Sequence, residues 1–235
     1  MSATRLSSVG RRASIIAAAR AVFARHGLEG ARTQQIARAA GVSEALLFRH
    51  FPTKTHIYRA VLREVIADQN RVFRSFGDAE ASTEGLLEIL RRTFIYATAG
   101  MYALNAEGLR MVLGSLAGDG GYARLVYRRA LRLTLPNLEK ALQAARADGG
   151  IPGEALSTTN VGAFIEHIST MMLVARCHEK TAIPYEEDRV LRDAILFCAR
   201  GLGVAEPRIQ RFLEQMKSCE PETAAFIRSG TPVTP

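Results

Sequence analysis

Gly41-Val42-Ser43-Glu44-Ala45-Leu46-Leu47-Phe48-Arg49-His50-Phe51 reads as a tight turn followed by a short two-faced helix, and Pro52 ends that helix. Gly41 admits the left-handed backbone of a sharp turn. Ser43 is a good N-cap, because its hydroxyl can accept a backbone N–H of the first helical turn. Leu47 and Phe51, four residues apart, share an inner face, and Val42 reaches the same core. Ala45, Leu46, Phe48 and Arg49 project opposite, with Glu44 and His50 at the margins.

Upstream of the turn, Thr33 is read as the cap of a helix over Gln34 to Ala40, with Ile36, Ala37 and Ala40 on one side. Before it, Ile15, Ala19, Val22 and Phe23 form the stripe of a first helix from Arg11 to His26, closed by Gly27. A helix of about eight residues, a glycine turn and a second capped helix make the helix-turn-helix pattern. The short side chain of Ala45 suits a helix that must enter a groove about 12 Å wide.

Charge supports that reading by its location. Residues 1–60 carry ten Lys or Arg against two acids, Glu29 and Glu44. The remaining 175 residues balance to zero, so the whole formal charge of +8 lies in the first quarter of the chain. Such asymmetry points to a polyanion-binding module joined to a neutral body.

Several other classes are disfavoured. No aliphatic run approaches the roughly 20 residues a bilayer crossing needs, so no membrane partner is expected. The apolar segment Ile15 to Ala24 is periodic and interrupted by Arg20, which makes it a helix face and not a signal peptide. Three cysteines, Cys177, Cys198 and Cys219, without a Cys-x-x-Cys, predict a cytoplasmic chain with no structural zinc and no cofactor. An enzyme remains the rival from another class through Glu166, His167, Cys177 and His178. No metal spacing, nucleophile elbow or phosphate loop accompanies that cluster, so no catalytic residue is assigned.

Here the residues resemble a known family. Ala18-Ala19, Val22-Phe23 and His26-Gly27 are followed by Thr33, Ile36-Ala37 and Ala40-Gly41-Val42-Ser43. Leu47 to Lys54 and Tyr58 to Leu62 complete the likeness. Together they resemble the DNA-binding domain of the TetR (tetracycline-repressor) family, across about a fifth of the chain. The resemblance implies an all-α protein of about nine or ten helices: a three-helix helix-turn-helix domain followed by a helical domain for effector binding and dimerisation. The expected divisions are an arm over 1–9, the reader over 10–56, the body over 57–217 and a tail over 218–235.

Site expectations follow. Thr33 and Ser43, as caps, sit where a phosphate can dock. Gln34 and Gln35 are candidates for a base or a phosphate. Glu44 and Ala45 open the recognition helix and are the candidates for base edges. Glu44 would accept from cytosine N4 and Ala45 would meet a thymine methyl. Helix-dipole stabilisation explains an acid at position 44 equally well. The family likeness makes Lys54 a phosphate contact, and gives Phe48 and His50 backbone contacts; packing is an equal reading of His50. Leu46 and Arg49 complete the outward set. Departures from the family are Phe48 for the common Tyr, Leu46 for a small or hydroxylated residue, and the acidic Glu44.

By the same resemblance, the body would hold a small-molecule effector of unknown identity near Phe94, Met101, Tyr102, Met111, His167, Met171 and Met172. A homodimer would form through Val161, Phe164, Ile168, Leu191, Ile195 and Cys198. Each of these side chains can equally be ordinary core. The implied function is a regulator, more often a repressor, that reads a pseudo-palindromic operator in double-stranded DNA through two major grooves. The alternatives are a helical enzyme and a DNA-binding adaptor with no effector.

Overall fold

The computed structural model describes residues 7–75, 79–98, 102–118, 120–176 and 183–218. Among them are ten helices and no strand. They are α1 (Ser8–Gly30), α2 (Thr33–Ala39), α3 (Glu44–His50), α4 (Lys54–Ser75), α5 (Thr83–Thr98), α6 (Tyr102–Ala117), α7 (Gly121–Ala147), α8 (Thr158–Arg176), α9 (Val190–Gly201) and α10 (Glu206–Ser218). The contacts divide into two compact units. The first holds residues up to 69 together with 105–127, and the second holds 70–104 and 128 onward.

In the first unit, apolar periodicity becomes one core. Ile15, Ala19 and Phe23 of α1, Ile36 of α2, Leu47 of α3, Phe51, and Ile57, Val61 and Val65 of α4 are all essentially sealed from solvent. Each large aliphatic or aromatic side chain buried this way contributes about 1.5–3 kcal/mol. Phe23 and Tyr58 meet edge to face with centroids 4.9 Å apart, the arrangement ring quadrupoles favour. Met111 and Val112 of α6, and Tyr122, Ala123 and Val126 of α7, belong to the same cluster. Arg20 of α1 fastens it with charge, reaching Asp68 of α4 at 2.9 Å and Glu107 of α6 at 3.0 Å.

Local stops are equally physical. Gly27, at φ 67°, breaks α1 with left-handed backbone, and Gly41, at φ 64°, makes the turn between α2 and α3. Ser43 Oγ accepts the Leu46 amide at 3.2 Å. The second helix differs from its reading: Arg32 is its N-cap and Thr33 its first residue. Gln35 Oε1, not a Thr33 hydroxyl, takes the Arg32 amide, at 3.0 Å. Gln at this third position can do that work, which frees Thr33 to bond elsewhere.

The second unit is organised around α5, which packs against α8, α9 and α10. Its Leu86, Leu87, Leu90 and Phe94 are fully buried. Asp148, just past α7, fixes where α5 starts. Its carboxylate accepts the Thr83 amide at 3.0 Å, the Thr83 hydroxyl at 2.7 Å and the Gly150 amide at 2.9 Å. A Cβ on Gly150 would collide with Thr83 Oγ1. Arg208 of α10 pairs with Glu84 beside this node. Helix α7 continues through Pro136. Helices α8 and α9 begin at Thr158 and Val190. No helix among the described residues is long and apolar enough to cross a membrane.

Candidate nucleic-acid interface

The expected recognition helix is the seven-residue α3, set after a seven-residue helix, α2. Helices this short do not persist alone in water, because nucleation is not repaid by enough propagation. Surrounding contacts must therefore hold α3. Leu47 and Phe51 anchor it from beneath. Above that anchor, Glu44, Ala45, Phe48 and Arg49 are exposed, and Leu46 and His50 are partly so. Phe48 keeps 42% of its surface in solvent. The outward residues therefore share a face of the unit that carries the chain's net charge.

Glu44 has a partner not foreseen in its sequence. Its Oε1 accepts the Thr33 hydroxyl at 2.8 Å, so the first turns of α2 and α3 are tied side chain to side chain. Ser43 remains the cap, and Gln34 and Gln35 are exposed on α2, with Gln35 engaged at the Arg32 amide. Lys54 opens α4, and its ammonium donates to the carbonyls of Glu29 at 3.3 Å and Ala31 at 3.2 Å. Thr53 accepts the His56 amide at 3.3 Å and closes the α4 start. Arg12 of α1 makes two contacts that its charge alone does not predict. Its Nη1 donates to the His50 carbonyl at 3.0 Å, and its guanidinium carbon lies 4.1 Å from the centroid of the Phe51 ring. No local pattern signals that contact, since the partners are 38 residues apart.

The expected effector residues fall in different places. Met111 lies in the core of the first unit. Phe94 and Met172 are buried in the second. Met171 is 54% exposed and His167 is exposed on α8, on the same side as Phe164. Met101 and the side chain of Tyr102 lie outside the described residues. Beside His167, Glu166 is half-buried with its carboxyl pushed up by burial, and Thr170 donates to its Oε1 at 2.8 Å. Cys177, His178 and Cys219, residues 1–6 of the arm and 219–235 of the tail also lie outside. No group of metal-ligating side chains occurs among the described residues.

The expected dimer residues divide by burial. Val161, Ile195 and Cys198 face the interior of their own unit, and burial lifts the Cys198 thiol to about 11. Ile168 and Leu191 are half-buried, whereas Phe164 is 61% exposed. An outward apolar residue of α9 is Phe197, 70% exposed, which the sequence expectations do not include.

Comparison with known proteins agrees with this architecture. The family model described as bacterial regulatory proteins, tetR family, matches residues 15–61. The chain is 33% identical over 115 residues to the HTH-type transcriptional regulator RutR of Escherichia coli (strain K12), which covers 46% of this chain and 54% of RutR. It thus spans about half the length of that curated relative. It is 35% identical over 80 residues to the HTH-type transcriptional repressor AcnR of Corynebacterium glutamicum, covering 34% of this chain and 38% of AcnR. Among solved structures, AibR in complex with isovaleryl coenzyme A and operator DNA has the same fold. The TM-score is 0.60 at 17% identity, over 80% of this chain and 97% of AibR.

Proposed function

We propose, from the premise that this chain belongs to the TetR family of bacterial regulatory proteins, that it is a one-component transcriptional regulator, more specifically a repressor. It reads a pseudo-palindromic operator as a homodimer, through α3 in the major groove. The observation that carries this reading is the outward face of α3. Ala45, Phe48 and Arg49 stand exposed over a buried Leu47–Phe51 anchor, within the basic first unit. Base-edge contact falls to Ala45, Arg49, Leu46 and Glu44. Thr33, Gln34, Ser43, His50 and Lys54 set register on the phosphates.

A two-fold assembly is supported by the outward apolar residues Phe164 and Met171 of α8 and Phe197 of α9. Large exposed apolar side chains of this kind mark association surfaces. A small molecule held in the second unit would bias operator affinity in this reading, as a coupling free energy between two sites. The cytoplasm is the compartment where such a regulator acts.

The test is selection of bound fragments from genomic DNA by the full chain, followed by titration of a recovered duplex at several salt concentrations. A shared inverted repeat and a steep salt slope support the reading. Recovery of unrelated fragments with no common sequence sinks it. Repetition with a metabolite panel separates an effector-responsive regulator from an adaptor, which no metabolite releases.

A further inference from the structure

We infer that Arg12 is a positioning residue for DNA reading: it holds the C-terminal end of α3 at its working angle, and it does so without neutralising a phosphate. The inference rests on the DNA-binding reading above. Three observations carry it. Arg12 Nη1 donates to the His50 carbonyl at 3.0 Å, one of the orphan carbonyls at the end of a seven-residue helix. The guanidinium covers the Phe51 ring at 4.1 Å, and Phe51 is only 1% exposed, so the arginine forms the lid over the buried anchor. The positive charge also sits at the negative end of the α3 dipole.

Those contacts use the plane and fork of the guanidinium and not merely its charge. Lysine keeps the charge but neither stacks flat on a ring nor presents a planar fork. A phosphate contact has the reverse requirement, since a lysine serves it as a point charge. The substitutions Arg12→Lys and Arg12→Met therefore separate positioning from neutralisation.

The experiment uses the full chain, an operator duplex recovered with the wild type, and a scrambled duplex of equal length. Arg12→Lys and Arg12→Met should each weaken operator binding by about tenfold, the loss of one charge-assisted hydrogen bond and one cation–π contact. Discrimination against the scrambled duplex should fall by a similar factor, and the slope of log affinity against log salt should stay at the wild-type value. In the free protein, amide exchange at Leu47 and Phe51 should quicken by about tenfold in both variants, through local opening. Wild-type affinity in Arg12→Lys, with a slope shallower by about 0.9 in Arg12→Met, identifies a phosphate contact and overturns the inference. Unchanged exchange in both variants overturns it as well. If the wild type shows no salt-dependent preference for any duplex, the DNA reading itself fails, and the exchange measurement still decides whether Arg12 holds α3.

Discussion

The Thr33 hydroxyl and the Glu44 carboxylate, 2.8 Å apart, join the first turns of the two helices of the reader. Removal of either partner should loosen the same joint. We expect Thr33→Val and Glu44→Ala each to destabilise the protein by about 0.5–1.5 kcal/mol, the net worth of one hydrogen bond. The double variant should lose little more than either single one, as a double-mutant cycle in urea would record. Additive losses would mean that the pair is geometric only. Glu44→Gln keeps an acceptor for Thr33 while removing a negative charge from the surface proposed to face DNA. It should leave stability unchanged and bind an unrelated duplex several-fold more tightly at low salt.

Lys54 is expected to have two roles at once. An ammonium has three donors, and the Glu29 and Ala31 carbonyls occupy two of them. Lys54→Ala should lower the melting temperature by several degrees, equivalent to about 1–2 kcal/mol. It should also make the salt dependence of DNA binding shallower by about 0.9 per half-site, for one lost phosphate. A stability loss with an unchanged slope would confine Lys54 to the scaffold.

Much of this reader is legible in its sequence, because its rules are local. Gly41, Ser43 and the Leu47–Phe51 spacing each act within a few residues, and the structure uses them as read. Composition favours Thr33 as the cap, but Arg32, which gives no compositional sign of being one, occupies that position. Gln35, three residues on, does the capping. Arg12 and Glu44 needed tertiary structure, since neither partner lies within a helical turn. The body was harder for another reason. Helices α8 and α9 carry apolar residues on more than one side, so periodicity cannot say whether Ile195 or Phe197 faces inward. Met111 sits in the first unit's core although it follows Lys54 by more than fifty residues. Only long-range packing decides that.

Acid should destabilise the second unit through Asp148. The Thr83 hydrogen bonds, above all the hydroxyl, hold the Asp148 carboxyl below the usual carboxylate range. A depressed folded-state pKa gives stability that is present above the unfolded value of about 3.9 and is lost as pH falls through the folded one. Asp148→Asn should therefore be less stable than wild type at pH 7, by about 1–3 kcal/mol, and the difference should close as pH falls through the depressed folded-state pKa. A gap that stays constant down to pH 2 would remove charge from the explanation. Gly150→Ala attacks the same node sterically, where its Cβ meets Thr83, and should cost about 1–3 kcal/mol at every pH.

Association should depend on the outward phenylalanines. Phe197→Glu places a charge on a side chain now 70% exposed, so the folded subunit should survive the change. Sedimentation should then show monomers, and operator affinity should drop toward that of a single half-site. Ile195→Glu, at a position sealed inside the subunit, should instead prevent folding. A Phe197→Glu protein that remains dimeric would move the interface elsewhere.

The carbonyls of Glu29 and Ala31 lie just beyond the left-handed break at Gly27 and hold the Lys54 ammonium in place. A free lysine side chain surrenders about 1.5–2 kcal/mol of rotamer entropy when it is fixed. Here the four-carbon stem is already ordered when the chain folds, so that loss falls on folding and not on the encounter with DNA. A phosphate arriving at Lys54 meets a charge whose direction is set, and the entropy of binding should be correspondingly less unfavourable. Gly27→Ala, with a Cβ forced into left-handed backbone, would reverse this without touching any DNA-facing residue: the lysine would recover its freedom, and calorimetry should record the loss of affinity as entropy.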